Sequence, residues 1–419
     1  MRFSRSLLES SCEALREVLA LDSPADSVLS RFFRLRRNLG QSDRSTIAET
    51  VYAVLRRKRL LERLSGGGRD PRRLALAAWS ALLGANLREL EGCIGSDETD
   101  WLAQVKRAAR EPQAIEVECD MPDWLIARLR RDRDDSSLLE LARGLARPAP
   151  LDLRINLARM TREAALERFA RDGMGAAPTP YSPAGVRIAG KPAINRHELF
   201  REGLMEVQDE GSQLLCYLVS PRRGEMVVDF CAGAGGKSLA LGMLMRSTGR
   251  LYAFDVSDKR LAQLKPRLAR SGLSNVHPQR IDGEKDPRVF RLAGKIDRVL
   301  IDAPCTGLGT LRRNPDLKWR QSEQSLRELT RKQASILRSA ARLAKPGGRL
   351  VYATCSVLQE ENRDIVAEFL GENEAFRLVS AAQVLAQQRI ALDTGEFLEL
   401  FPHRHGTDGF FAAALERVA

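Results

Sequence analysis

The spacing of apolar residues changes character twice along the chain. Up to about residue 146, apolar side chains recur every three to four positions. Examples are Ile47-Ala48-Glu49-Thr50-Val51-Tyr52-Ala53-Val54-Leu55 and Leu74-Ala75-Leu76-Ala77-Ala78-Trp79. That period gives each segment one apolar face and predicts an all-helical domain over residues 1–147, with breaks at Gly66-Gly67-Gly68 and near Pro112. Pro148 and Pro150 mark its end. Leu151-Asp152-Leu153-Arg154-Ile155-Asn156 then alternates with the period of a strand. A helix is predicted after the N-cap residue Thr161, and Val186-Arg187-Ile188 is a second short strand. Together these predict a small α+β module over 148–200.

Beyond it, strand and helix patterns alternate. Strands are expected at 226–230, 251–254, 276–280, 297–301 and 349–353, with helices near 237–247, 258–271, 323–344 and 358–370. Such alternation predicts an α/β domain over 201–419, built on a parallel sheet with helices on both faces. Segments 397–401 and 410–415 close it as an antiparallel pair.

Composition narrows the class. With 43% hydrophobic and 29% charged residues the chain reads as an ordinary globular protein. No apolar run reaches the ~18 residues that a membrane span needs. Glu9, Glu13 and Glu17 interrupt the first helix, so a secretory signal is not expected and the expected location is cytoplasmic. Seven cysteines without a Cys-x-x-Cys pair, beside four histidines, predict neither a disulfide framework nor a metal site. Any cysteine chemistry is then thiol chemistry. The net charge of +12 lies mostly after residue 150, where 41 basic side chains face 32 acidic ones. That excess fits a polyanionic partner.

Ligands of open α/β sheets bind outside the carboxyl ends of the strands. The first predicted strand ends in Asp229, followed by Phe230 and the loop Cys231-Ala232-Gly233-Ala234-Gly235-Gly236-Lys237-Ser238. A phosphate-binding P-loop requires Gly where Cys231 stands, and a dinucleotide fingerprint requires Gly or Ala where Ser238 stands. An acidic residue before a Gly-x-Gly turn suits the methionine and ribose parts of S-adenosylmethionine, which carries no phosphate. Asp255 ends the second strand in position to accept ribose hydroxyls, and Asp282 ends the third in position to accept an adenine amino group. The fourth ends in Asp302-Ala303-Pro304-Cys305, followed by a Gly-rich, basic stretch over 306–316 that is expected to be mobile. The fifth ends in Thr354-Cys355-Ser356. Neighbouring fourth and fifth strands, ~4.8 Å apart, turn the two thiols toward one site. Ser356 and Gln359 have capping-box spacing, so a helix is expected just after Cys355, its positive end favouring a thiolate.

Pro304-Cys305 and Thr354-Cys355-Ser356 resemble the paired motifs of the Sun/RsmB family of RNA (cytosine-5-) methyltransferases. Further likeness lies in Val207-Gln208-Asp209-Glu210-Gly211-Ser212-Gln213, the loop from Cys231 to Lys237, Asp255-x-Ser257-x-x-Arg260-Leu261 and Asp408-Gly409-Phe410-Phe411. It extends over about 151–417 and is faint in the helices, where Ser42-Asp43-Arg44 resembles a NusB-like RNA-binding domain. The resemblance implies a Rossmann-like methyltransferase sheet and S-adenosylmethionine as cofactor. It implies ribosomal RNA as partner; no membrane association and a monomeric chain are expected. Cys355 is implied as nucleophile, Cys305 as helper in proton removal or product release, and Asp302 as a carboxylate beside the base. Cys231, Ala232, Gly233, Ala234, Gly235, Gly236, Lys237, Asp255, Asp282 and Asp302 are the implied cofactor residues. Where the family commonly has Ala-Pro in the loop, this chain has Gly233-Ala234. Rival readings are a DNA cytosine-5 methyltransferase, which leaves Thr354-Cys355 without a role, and a non-catalytic ribosome-assembly factor, which leaves both thiols without one. Phosphate contacts are expected from the 307–313 loop and the 151–200 module.

Overall fold

The computed structural model describes residues 3–190 and 192–418, which form two compact units. The helical unit runs up to Arg147 and also includes Thr310–Glu323. Its first helix, Arg5–Val18, shows how the amphipathic period works. Ser4 caps it by accepting from the Leu7 amide, and Leu7, Leu8, Ser11, Ala14, Leu15 and Val18 form the buried stripe. Trp79 is fully enclosed, its indole donating to the Thr50 hydroxyl at 2.7 Å. A buried indole N–H needs such a partner.

The later segment is an integral part of this unit. Asp316 accepts from the Ala25 amide at 3.3 Å, and the Trp319 indole donates to the Leu55 carbonyl at 2.8 Å. Lys318 donates to the Arg56 carbonyl at 2.9 Å and lies 3.6 Å from the Asp120 carboxylate, both side chains being nearly inaccessible. Burial pushes the Asp120 carboxyl up and the Lys318 ammonium down to about 8, although each charge supports the other.

In the second unit a small antiparallel sheet comes first. Its strands are β1 (Leu151–Ile155), β2 (Ala176–Pro178), β3 (Gly185–Ile188) and β4 (Met205–Val207), in the order β2-β3-β1-β4. Asp152 and Arg187 are directly opposed on β1 and β3 and pair bidentately, at 2.7 and 2.9 Å. The helix Arg162–Arg171, capped by Thr161, packs Phe169 on Leu153, Ile155 and Val186. The fourth strand lies beyond residue 200, so this sheet draws on more chain than the period-two pattern indicated.

The large sheet contains β5 (Met226–Asp229), β6 (Arg250–Asp255), β7 (Val276–Arg280), β8 (Ile296–Asp302), β9 (Ala344–Thr354), β10 (Phe376–Val379), β11 (Leu398–Leu400) and β12 (Phe410–Arg417). Its order is β10-β12-β9-β8-β5-β6-β7, with β11 also on β12. β5 to β9 are parallel, and β12 runs antiparallel to β9. The helices Glu210–Val219, Gly236–Leu244, Asp258–Ser271 and Ala381–Gln387 cover one face, and Glu323–Ala341 and Arg363–Glu372 the other. Strand order reverses at β5, between β6 and β8, which is where sheets of this kind open a ligand crevice.

Two local expectations fail. The 307–313 stretch is packed, with Leu308, Gly309, Leu311 and Arg312 buried, so it is not a mobile basic loop. Leu308 and Leu311 go inside and a 3₁₀ turn over Leu308–Thr310 joins them. The helix after Cys355 begins only at Arg363, with a short 3₁₀ turn over Gln359–Glu361 before it. The Ser356 hydroxyl, which a capping box would use, donates instead to the Glu361 carboxylate. The helix that follows Cys355 therefore does not begin against it.

Candidate active site

A cavity of about 510 Å³ opens at the carboxyl ends of β5, β6 and β8. Asp229 ends β5, its carboxylate accepting from the Ser238 hydroxyl at 2.6 Å. The chain then turns into the helix Gly236–Leu244. At Gly235 φ is +80° and an added Cβ would meet Leu264 at 2.1 Å, so both backbone shape and space demand glycine. Asp255 ends β6 with both oxygens engaged by backbone amides, Gly233 N at 2.8 Å and Ser257 N at 2.8 Å. Two such bonds fix the carboxylate while leaving each oxygen a free lone pair for a ligand.

Burial pushes the Asp229 carboxyl up to about 7, against the pull of the Ser238 hydroxyl. The Asp302 charge adds to the rise, and Lys237 opposes it. Its folded-state value thus exceeds the ordinary 3.8, and the folded state binds the extra proton between those two values. The contribution of Asp229 to stability therefore falls as pH rises through that window. Asp229→Asn has no proton to lose and should flatten this part of the profile. The Tm difference between variant and parent should move in the variant's favour from about pH 5 to about pH 8. A constant difference would remove Asp229 from the pH dependence.

Lys237 and Asp302 meet across the loop at 2.7 Å. Burial disfavours the ammonium, but the Asp302 charge and hydrogen bond outweigh it and hold Lys237 protonated. β8 and β9 are parallel neighbours, and just past their ends the Cys305 and Cys355 sulfurs lie 3.3 Å apart. Both thiols are free. The Cys355 sulfur, together with burial and the nearby Glu361 carboxylate, pushes the Cys305 thiol well up. That favours the neutral Cys305 thiol, and either sulfur can donate across the contact.

Of the residues singled out from the sequence, Cys231, Ala232, Gly233, Ala234, Gly236, Lys237, Asp255, Asp302, Cys305 and Cys355 line this one cavity. Gly235 shapes the turn without lining it. Asp282 does not belong. Its amide donates to the Asp286 carboxylate at 2.8 Å, and its own side chain turns to solvent, 3.1 Å from Arg280. The wall there is Ile281 and Glu284. Burial pushes the Glu284 carboxyl up, but the Lys332 and Ser335 hydrogen bonds, each 2.7 Å, help bring it down to about 2.

Sequence reasoning did not assign Gln208, Val256, Arg260, Arg267 or Lys332 to the site, yet all line it. Arg267 donates to the Ala234 carbonyl at 2.6 Å and to Glu206 on β4 at 2.9 Å, fastening the loop from outside. One signal was available. Arg260 and Arg267 stand seven residues apart on one predicted helix and so share a face.

A family model described as 16S rRNA methyltransferase RsmB/F matches residues 216–416, and its companion ferredoxin-like domain matches 121–195. The probable ribosomal RNA small subunit methyltransferase B of Synechocystis is 30% identical, over 96% of this chain and 98% of its own. The crystal structure of PH0851 superposes with a TM-score of 0.80 at 26% identity, covering 100% of both chains. NSun6 from Pyrococcus horikoshii, solved with the S-adenosylmethionine analogue SFG, shares the fold. Its TM-score is 0.63 at 19% identity, over 71% of this chain and 98% of its own. The full-length likeness to the Synechocystis protein and the match over 216–416 show that the chain belongs to the RsmB/F family of S-adenosylmethionine-dependent rRNA methyltransferases.

Proposed function

We propose that this chain methylates carbon 5 of a cytosine in ribosomal RNA through a covalent adduct between Cys355 and carbon 6 of the base. The observation that carries the reading is the pair of free thiols, 3.3 Å apart, in the same cavity as the cofactor loop. Carbon 5 of cytosine is a poor nucleophile. Addition of the Cys355 thiolate to carbon 6 gives the ring enamine character, so that carbon 5 can attack. S-adenosylmethionine supplies an electrophilic methyl group when bound. Solvent reaching the cavity then takes the proton from carbon 5, and the electrons of that bond restore the ring double bond as the carbon–sulfur bond breaks and returns the thiolate. Cys305 assists that last stage, cycling its proton beside the leaving sulfur. Asp302, held by Lys237, serves as the carboxylate at the ring nitrogen 3 side. The relatives' names, which specify small-subunit ribosomal RNA, support the choice of substrate.

The test is the identity of the product. Small-subunit rRNA from a strain lacking the gene is incubated with the protein and methyl-labelled S-adenosylmethionine, then digested to nucleosides. All label should run as 5-methylcytidine, and label in any other nucleoside rejects the proposal.

In this reading the loop 231–237 and Asp255 hold the cofactor, with Asp255 accepting from ribose. Asp255→Ala should weaken S-adenosylmethionine binding by about 2–4 kcal/mol, the scale of charge-assisted hydrogen bonds. Calorimetry giving the parent's affinity for a folded variant would take Asp255 out of the site.

A further inference from the structure

Glu361 is a carboxylate with no accessible surface, outside the cavity and without a role in the proposed reaction. Its partners are what single it out. One oxygen, Oε1, accepts from the Thr306 amide at 2.8 Å and from the Gln333 side-chain amide at 3.0 Å. The other, Oε2, accepts from the hydroxyls of Thr306 and Ser356. Thr306 directly follows Cys305, and Ser356 directly follows Cys355. Gln333 also donates to the Pro304 carbonyl at 2.9 Å, the residue just before Cys305. A single carboxylate thus grips the residue after each thiol, by amide and hydroxyl at Thr306 and by hydroxyl at Ser356. The Tyr352 hydroxyl donates to the Glu361 carbonyl at 2.7 Å, which ties the same residue to β9.

A buried charge is tolerated where hydrogen bonds satisfy it, and here four donors do so. Uncharged alternatives that hold two loops together are common. What the carboxylate adds is reach in both directions from a point between the strands, with a geometry set by its planar group. The two thiols belong to different segments, which Ala303 N and Gly309 N join by donating to the Ala353 and Cys355 carbonyls at 2.8 and 2.9 Å. Directly past the two thiols, the link is made by the Thr306 and Ser356 hydroxyls, 3.3 Å apart, and by the carboxylate that binds both.

We infer that Glu361 is a positioning residue, a clamp that sets the distance between the two thiols by binding the residue that follows each of them. The inference rests on the proposed two-thiol reaction. Because Glu361 touches neither base nor cofactor, loosening it should slow turnover without changing the affinity of either. The covalent adduct, once formed, should then persist, since Cys305 no longer sits where it assists release.

The experiment compares Glu361→Ala, Glu361→Gln and the parent, using an unmodified small-subunit rRNA transcript and labelled S-adenosylmethionine. Glu361→Ala should lose roughly 100-fold in kcat, the scale of an ångström-sized misplacement of reacting groups. The Kd for transcript and cofactor should stay within about twofold, because the cavity wall is untouched. Glu361→Gln keeps one acceptor oxygen and the side-chain length, and should recover most of the lost rate. If Glu361→Ala does not fold, the double variant Thr306→Val with Ser356→Ala removes both hydroxyl donors and should show the same split. Parent-like kcat in the variant that folds, or a loss explained entirely by weaker binding, overturns the clamp. Cys305→Ala runs in parallel. Failure of that variant to accumulate adduct rejects the two-thiol reaction, while the methyl-transfer rates of the Glu361 variants still report on the clamp.

Discussion

Cys355→Ala should reduce methyl transfer to the background of the assay and abolish any protein–RNA adduct, whereas Cys305→Ala should accumulate that adduct. Without the Cys355 sulfur nothing adds to carbon 6, and carbon 5 stays too weak a nucleophile to take a methyl group. Without Cys305 the addition and the methyl transfer remain available, because the attacking sulfur, the cofactor loop and Asp302 are intact. What is lost is the protonated neighbour 3.3 Å from the sulfur that must leave. The adduct should survive denaturing electrophoresis and disappear on nuclease treatment. A reversed outcome, with adduct in the Cys355 variant and none in the Cys305 variant, would exchange the two roles. The raised Cys305 thiol points the same way as this assignment: a thiol that holds its proton is a poor nucleophile.

Gly309→Ala should be the most damaging substitution outside the thiols. Here two stretches of backbone cross at close range. Gly309 N donates to the Cys355 carbonyl at 2.9 Å, and Gly409 N donates to the Gly309 carbonyl at 2.8 Å. A Cβ on Gly309 would lie 2.1 Å from the Gly409 carbonyl oxygen and 2.9 Å from that of Cys355. Neither is the end of a flexible side chain, so the backbone itself has to move. Overpacking of this kind costs about 1–3 kcal/mol of stability. The displaced backbone is that of the proposed nucleophile, so kcat should fall by about 100-fold as well. Chemical denaturation and single-turnover methylation measure the two effects separately. A variant with the parent's rate would mean that the crossing relaxes away from Cys355.

The large sheet was legible because its signals are local. Apolar runs place β5 to β8 close to their observed limits and locate the end of β9, which begins five residues earlier than expected, at Ala344. Adjacency of Cys305 and Cys355 followed from strand order alone. The failures share a physical origin. Asp282 ends its strand as expected, but Asp286, four residues on, captures its amide and turns the side chain outward. Ser356 has the spacing of a helix cap, but Glu361 takes its hydroxyl. The 307–313 stretch looks like a solvated basic loop until Gly409, a hundred residues away in sequence, lies against Gly309. In each case a side chain had a plausible local partner and found a better one. The sites where this happened cluster around the thiols, where the chain is shaped by contacts between loops more than by helix or strand propensity.

The discontinuity of the helical unit has a consequence for how the protein is made. Its last part, Thr310–Glu323, leaves the ribosome roughly 160 residues after Arg147. At about 5–20 residues per second, that is a delay on the order of ten to thirty seconds. Throughout it the emerged helices have Asp120 without the Lys318 ammonium, and the Leu55 carbonyl without the Trp319 indole. The first unit to be synthesised therefore cannot be completed before much of the second has been synthesised. It waits with an open seam until four of the eight strands of the large sheet have followed it out, and the strand that delivers Cys305 brings the segment that closes it.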